Sequence, residues 1–119
     1  AGSVIAVSAK TAARGTAGMA AYIASKSALQ RLVEAAAAEL APHGIQVNAI
    51  AQNFVENPTY FPPEVQANPA FQGRLRREVP LGRLVSQRVD ALFAAYLCSD
   101  AASCFVGQVF PVCGGWVAR

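Results

Sequence analysis

Two short apolar runs, separated by one long helical segment, constrain the fold of this chain more than any other feature. Residues 3–8 (SVIAVS) and 45–51 (IQVNAIA) are rich in β-branched residues, as in strands covered on both faces. Between them, residues 19–41 are rich in Ala and Leu and have no interior Gly or Pro, which predicts a helix. A strand, a helix and a second strand form a crossover unit, so the two strands are predicted to be parallel.

The remaining residues are predicted to complete an α/β fold with three strands and about three helices. Gly44 is well placed to end the long helix in the left-handed conformation. The segment 52–69 contains four prolines and no clear period, which predicts a long functional loop. We expect a helix at residues 69–78, a turn at 80–84, and a third strand at 107–112 before Gly114 and Gly115. A further helix begins at Ser86, and its spacing places five apolar residues on one side: Val89, Leu92, Phe93, Tyr96 and Leu97.

Composition excludes several classes of protein. Hydrophobic residues make up 54% of the chain and charged residues 14%, which excludes a disordered chain. There is no uninterrupted apolar run of about 18 residues and no signal-peptide pattern, so we expect a cytoplasmic protein without a membrane association. Five arginines fall within residues 74–88, but neither aromatic residues nor a reading helix accompany them, which argues against nucleic-acid binding. We expect these arginines to be solvated, with a gate over an anionic ligand as the alternative.

The cysteines give no indication of a disulfide framework or a metal site. Cys98, Cys104 and Cys113 are odd in number and lack C-x-x-C spacing, and His43 is the only histidine. We therefore predict three buried, reduced thiols and no bound metal.

Tyr22 and Lys26 are the first candidate site residues. Residues four apart on a helix share a face, so both side chains can point into one cleft. A phenol, whose unperturbed pKa is about 10, is a poor acid or base at neutral pH, whereas a neighbouring ammonium favours the phenolate. The pair alone is also compatible with an ordinary half-buried tyrosine beside a surface lysine.

The ordered set of motifs resembles the C-terminal half of a short-chain dehydrogenase/reductase. The set comprises the strand that ends at Ser8, Tyr22-x-x-x-Lys26, NAIA at residues 48–51, PLGRL at 80–84 and GQVFPVCGG at 107–115. The resemblance covers essentially the whole chain and implies half of a Rossmann-type doubly wound parallel sheet, with residues 1–119 as a partial single domain. It implies an oxidoreductase that uses NAD or NADP to interconvert an alcohol and a ketone. Tyr22 would exchange a proton with the alcohol oxygen, and Lys26 would also hold the cofactor ribose.

The sequence departs from the family pattern in three places, one of them a dipeptide. The family's catalytic serine usually lies thirteen residues before the tyrosine, a position that Ala9 occupies here; Ser8, fourteen before, is the candidate. Gln52-Asn53 replaces the Pro-Gly that lies against the nicotinamide, and Cys113 replaces an Asp. By resemblance, the cofactor contacts are Tyr22, Lys26, Gln52, Asn53, Phe54 and Val55. Tyr60 and Phe61 are predicted to line an apolar pocket for a small-molecule substrate.

Two alternative functions follow from these departures. The loop (AIAQNF at residues 49–54, then NPTYFP at 57–62) resembles that of halohydrin dehalogenases, relatives that form or open epoxides without a nicotinamide cofactor. Those enzymes have arginine at the position of Lys26, and the two cations are not interchangeable, so Lys26 favours an oxidoreductase. The second alternative is a non-catalytic family member that acts as a partner subunit. Whichever function is correct, the apolar circumference of the 19–41 helix suggests a homodimer or homotetramer.

The chain has no Gly-rich turn between a strand and a helix, which a dinucleotide pyrophosphate requires in this fold. We expect that turn in a preceding half, in a domain of roughly twice this length. The isolated 119-residue polypeptide is therefore predicted to show no saturable binding of NADH or NADPH by fluorescence titration. Saturable binding by the monomeric polypeptide would contradict this.

Overall fold

Three parallel strands form an open sheet in the order β1–β2–β3 in the computed structural model, which describes residues 1–116. The strands are β1 (Gly2–Ala9), β2 (Ile45–Gln52) and β3 (Val109–Val112). Gln52 is paired in register with Ala9 on one side and with Val112 on the other. The carboxyl ends of all three strands therefore lie level at one edge of the sheet, and the predicted parallel arrangement is confirmed.

The helices agree with the predicted ones to within one or two residues, with one addition. Their bounds are α1 (Ala20–Leu40), α2 (Pro63–Gln66), α3 (Pro69–Glu78) and α4 (Gln87–Leu97), with short 3-10 turns at Lys10–Ala13, Ala41–His43 and Asp100–Ala102. Gly44 has φ 73°, the left-handed conformation expected at this end of α1. Helix α2 was not predicted; it begins at Pro63, whose fixed φ suits the first helical position.

Helices α1 and α4 cover opposite faces of the sheet. Along β2, successive side chains alternate between the two faces. Val47 and Ala49 pack against Val33 and Ala37 of α1. Ile50 instead packs with Leu97, Phe93 and Ala94 of α4. The central strand is thus buried on both faces, which explains its continuous apolar sequence.

Part of the apolar surface that the sequence predicts to be buried is exposed. On α4, Phe93 and Leu97 rest on the sheet, but Val89, Leu92 and Tyr96 face solvent. The spacing that places these five residues on one side of the helix does not bury all of them, because only part of that side reaches the sheet. On β1, Val4 and Val7 are about half exposed, because this strand lies at the edge of the sheet.

The prediction of buried thiols is wrong for two of the three cysteines. All three are free, but Cys98 and Cys104 are exposed because they lie just beyond α4 and the Asp100–Ala102 turn, where the chain runs over the surface. Cys113 is buried with Phe54, Leu75 and Trp116. The five arginines of the 74–88 segment are exposed, as predicted.

Gly114 lies just after β3 and packs closely against the segment that follows α3. It has φ +61°, and a Cβ there would lie 2.7 Å from Val79 Cγ1. Gly114→Ala should lower the free energy of unfolding by at least about 1 kcal/mol, through backbone strain and the clash. Urea denaturation of the complete protein measures this. Gly15→Ala is the matched control, because a Cβ at Gly15 meets nothing within 4 Å and its φ is not positive. An equal loss in the two variants would contradict the packing described.

Candidate active site

A cleft of about 750 Å³ opens at the carboxyl edge of the sheet. Ligands of open parallel sheets bind at this edge. All nine residues that the sequence nominated line it: Ser8, Tyr22, Lys26, Gln52, Asn53, Phe54, Val55, Tyr60 and Phe61. The fold thus brings together residues from β1, α1, the end of β2 and the following loop.

Tyr22 and Lys26 lie in the first two turns of α1 and face the cleft together. Lys26 Nζ lies 5.9 Å from the centroid of the Tyr22 ring and donates a hydrogen bond to Val7 O at 3.2 Å. Tyr22 is 42% exposed and lines the cleft, so a ligand can reach it. An ammonium has three N–H donors, and among residues 1–116 Lys26 Nζ donates one hydrogen bond, to Val7 O.

Ser8 joins the end of β1 to α1. It is 3% exposed; its Oγ donates to Lys26 O at 3.1 Å and accepts from Gln30 Nε2 at 3.0 Å. Gln30 Nε2 also contacts Ala9 O at 3.2 Å. The single hydroxyl proton of Ser8 is therefore directed at the helix backbone. Ala9, at the family's usual serine position, has no side-chain donor.

The loop after β2 is held by a left-handed residue and an aromatic cluster. Phe54 has φ 54°, which is uncommon for a residue with a Cβ, and its N–H donates to Asn53 Oδ1 at 3.0 Å. Its ring is buried and lies 6.1 Å from that of Phe61, which in turn lies 5.4 Å from Phe71. Tyr60 is largely exposed at the mouth of the cleft. The turn therefore directs Phe54 into the core and leaves Gln52 and Asn53 at the cleft surface.

The α4 side of the cleft carries two carboxylates. Gln52 Nε2 donates to Asp90 Oδ2, and Asp90 Oδ1 is buried without a partner among residues 1–116. Burial raises the pKa of Asp90 above its usual value, and the hydrogen bond from Gln52 partly offsets this. Glu56 lies on the same side, and its Oε2 accepts from Gln87 N at 3.1 Å.

Sequence reasoning missed several residues of the site. Gln30 could have been found, because it continues the Tyr22–Lys26 face by one more turn. Thr11 lines the cleft, and its Oγ1 is buried without a partner among the described residues. Asp90 and Gln87 carried no signal, because only the packing of α4 against the sheet places the start of that helix at the cleft.

This fold and site define a class of protein: doubly wound α/β proteins with a tyrosine–lysine pair at the carboxyl edge of the sheet. The family model described as enoyl-(acyl carrier protein) reductase matches residues 1–117. Cis-4-hydroxycyclohexanecarboxylate dehydrogenase of Sinomonas cyclohexanicum is 35% identical over 119 residues, covering 98% of this chain and 45% of the relative. The chain belongs to the short-chain dehydrogenase/reductase family.

Two solved structures extend the likeness to three dimensions. A structure titled "Dehalogenation enzyme" matches with a TM-score of 0.91 and 39% identity, over 98% of this chain and 48% of the other. A 4-hydroxyisoleucine dehydrogenase complexed with NADH matches with a TM-score of 0.89 and 26% identity, over 98% and 47%. The chain spans about half the length of the curated relatives it matches.

No group of three or more His, Cys, Asp or Glu side chains in residues 1–116 is arranged as metal ligands would be. In the same part of the chain, no helix has the length and hydropathy needed to cross a membrane.

The raised pKa of Asp90 gives a pH-dependent prediction. The pKa of Asp90 is higher in the folded protein than in the unfolded one, so between these two pKa values the folded protein binds more protons. The free energy of unfolding therefore falls as the pH rises through this range. Asp90→Asn removes this effect and keeps an acceptor for Gln52. Its urea midpoint should exceed that of the original protein at pH 7, by a margin that narrows toward pH 4.

Asp100→Asn is the control, because Asp100 is exposed. A margin for Asp90→Asn that is constant with pH would show that burial of the charge has no energetic cost.

Proposed function

We propose that this chain carries the proton-transfer half of an NAD(P)-dependent oxidoreductase that interconverts an alcohol and a ketone. The observation that carries the proposal is the juxtaposition of an accessible Tyr22 with Lys26 in the cleft. In the oxidation direction, the Tyr22 phenolate accepts the hydroxyl proton of the substrate. In the reduction direction, the phenol returns a proton to the carbonyl oxygen. When bound, the nicotinamide accepts or supplies the hydride.

Lys26 has two roles in this proposal. Its ammonium lies 5.9 Å from the centroid of the Tyr22 ring and places a positive charge beside the group that transfers the proton. The donors it does not use on Val7 O can bind ribose hydroxyls, which a flexible ammonium suits. The residues present therefore fit the nicotinamide end of a dinucleotide, with Gln52, Asn53, Phe54 and Val55 as its further contacts.

Ser8 is proposed as the donor that polarises the substrate oxygen. This requires the hydroxyl proton to turn from Lys26 O toward the cleft, while Oγ keeps the hydrogen bond from Gln30. A hydroxyl can rotate in this way without moving the backbone. The aromatic residues Tyr60 and Phe61 are proposed to contact the apolar part of a small-molecule substrate.

A second candidate is an epoxide-forming dehalogenase. The likeness to the structure titled "Dehalogenation enzyme" favours it. Such a reaction needs a base for the substrate hydroxyl and a place for the departing halide, but no dinucleotide. Lys26 weighs against it, since the resemblance places an arginine there in dehalogenases.

Tyr22→Phe tests the proton-transfer role directly. Removing the phenol hydroxyl should lower kcat for reduction of a ketone panel by at least about 100-fold, because general acid catalysis contributes that much. NADH and NADPH consumption by the complete protein is the measurement. Tyr96→Phe is the matched control, since Tyr96 lies outside the cleft and, among residues 1–116, its hydroxyl donates one hydrogen bond, to Ala101 O at 3.5 Å.

Equal rates for Tyr22→Phe and the original protein would contradict the catalytic role. Halide release from a vicinal haloalcohol without dinucleotide would favour the second candidate.

A further inference from the structure

The side chain of Gln52 bridges the end of the central strand and the first turn of α4. Its Nε2 donates to Asp90 Oδ2, and both residues line the cleft. Asp90 is the fourth residue of α4, and its backbone N–H bonds Ser86 O at 3.1 Å. The backbone of Asp90 is thereby held by the helix, and that of Gln52 by its pairing within the sheet.

The chemistry of the pair determines which way the Gln52 amide faces. An ionised carboxylate has acceptors only, whereas a primary amide has an NH₂ donor end and a carbonyl acceptor end. The NH₂ end must therefore face Asp90. Reversing the amide would place two acceptors against each other and leave a partly buried carboxylate without its donor.

This orientation leaves Gln52 Oε1 as an open acceptor. Oε1 accepts no hydrogen bond within residues 1–116, and it is not one of the fully buried polar atoms that lack a partner. The same side of the cleft offers further acceptors, since Glu56 contributes a second carboxylate beside that of Asp90. Among the described residues that line the cleft, the one Lys or Arg is Lys26, which lies on the α1 side.

We propose that Asp90 is a positioning residue that orients Gln52 so that Gln52 Oε1 accepts a hydrogen bond from an N–H or O–H donor of the bound ligand. The inference rests on the proposed function, which places dinucleotide and substrate together in this cleft. The donor has two chemical sources, the carboxamide of the nicotinamide ring and an amide or hydroxyl group of the substrate. Asp90 acts only through Gln52.

A double-mutant cycle in the complete protein at pH 8 tests this. Gln52→Leu removes the acceptor. Asp90→Asn preserves size but lets the Gln52 amide face either way, because asparagine offers a donor as well as an acceptor. We expect Gln52→Leu to weaken binding or raise KM by about 3- to 10-fold, the range for one neutral hydrogen bond. Asp90→Asn should have a smaller effect in the same direction. In the Gln52→Leu background, Asp90→Asn should have none.

Two ligand arms identify the source of the donor. If it is the nicotinamide carboxamide, Gln52→Leu weakens binding of NADH but not of the reduced 3-acetylpyridine analogue, which lacks the NH₂ group. If it is the substrate, dinucleotide binding is unchanged, and KM rises for a ketone that bears an amide or hydroxyl, with kcat nearly constant. Gln108→Leu controls for loss of a glutamine outside the cleft.

Three outcomes would overturn the proposal. Asp90→Asn could have the same effect in both backgrounds, which would show that it acts independently of Gln52. Gln52→Leu could change neither binding nor KM for any ligand. The complete protein could fail to bind either dinucleotide, which would overturn the proposed function as well; the first two leave that function intact.

Discussion

The in-register parallel pairing of three strands is the constraint on which the rest of this structure depends. It brings Ala9, Gln52 and Val112 to one edge of the sheet, where the chain must leave each strand and turn. Side chains at that edge lie outside the hydrophobic core, so polar groups there can contact a ligand. The cleft exists because α1 and α4 cover opposite faces of the sheet and each begins near this same edge.

The two sides of the cleft differ in charge and in how they are fixed. On the α1 side, Lys26 Nζ donates a hydrogen bond to Val7 O, and Ser8 Oγ donates one to Lys26 O. These two hydrogen bonds hold β1 and α1 together. On the α4 side, Gln52 and Asp90 form the corresponding link between strand and helix. Lys26 and Tyr22 on the α1 side therefore lie across the cleft from the hydrogen-bond acceptors of the α4 side. Such a cleft can stabilise an oxyanion on one side and bind a donor on the other.

The sequence predicted the strands, the main helices and the residues of the α1 side, because periodicity, helix ends and the Tyr22–Lys26 spacing are local signals. It did not predict that Val89, Leu92 and Tyr96 would be exposed, since burial depends on which elements lie opposite. Asp90 was missed for the same reason: its place in the cleft depends on how α4 docks, not on its neighbours in sequence. The direction of the Ser8 hydroxyl is likewise a tertiary property, set by Lys26 and Gln30.

The proposed function requires hydride exchange between a nicotinamide and a carbonyl carbon in this cleft, with Tyr22 transferring the proton beside Lys26. The most direct measurement is isotope transfer. The complete protein is incubated with a ketone panel and reduced dinucleotides deuterated stereospecifically at C4 of the nicotinamide, and the products are analysed by mass spectrometry and NMR. We expect one deuterium at the carbinol carbon, transferred from one face of the nicotinamide ring. Absence of deuterium in every product, together with halide release from a haloalcohol without dinucleotide, would contradict it.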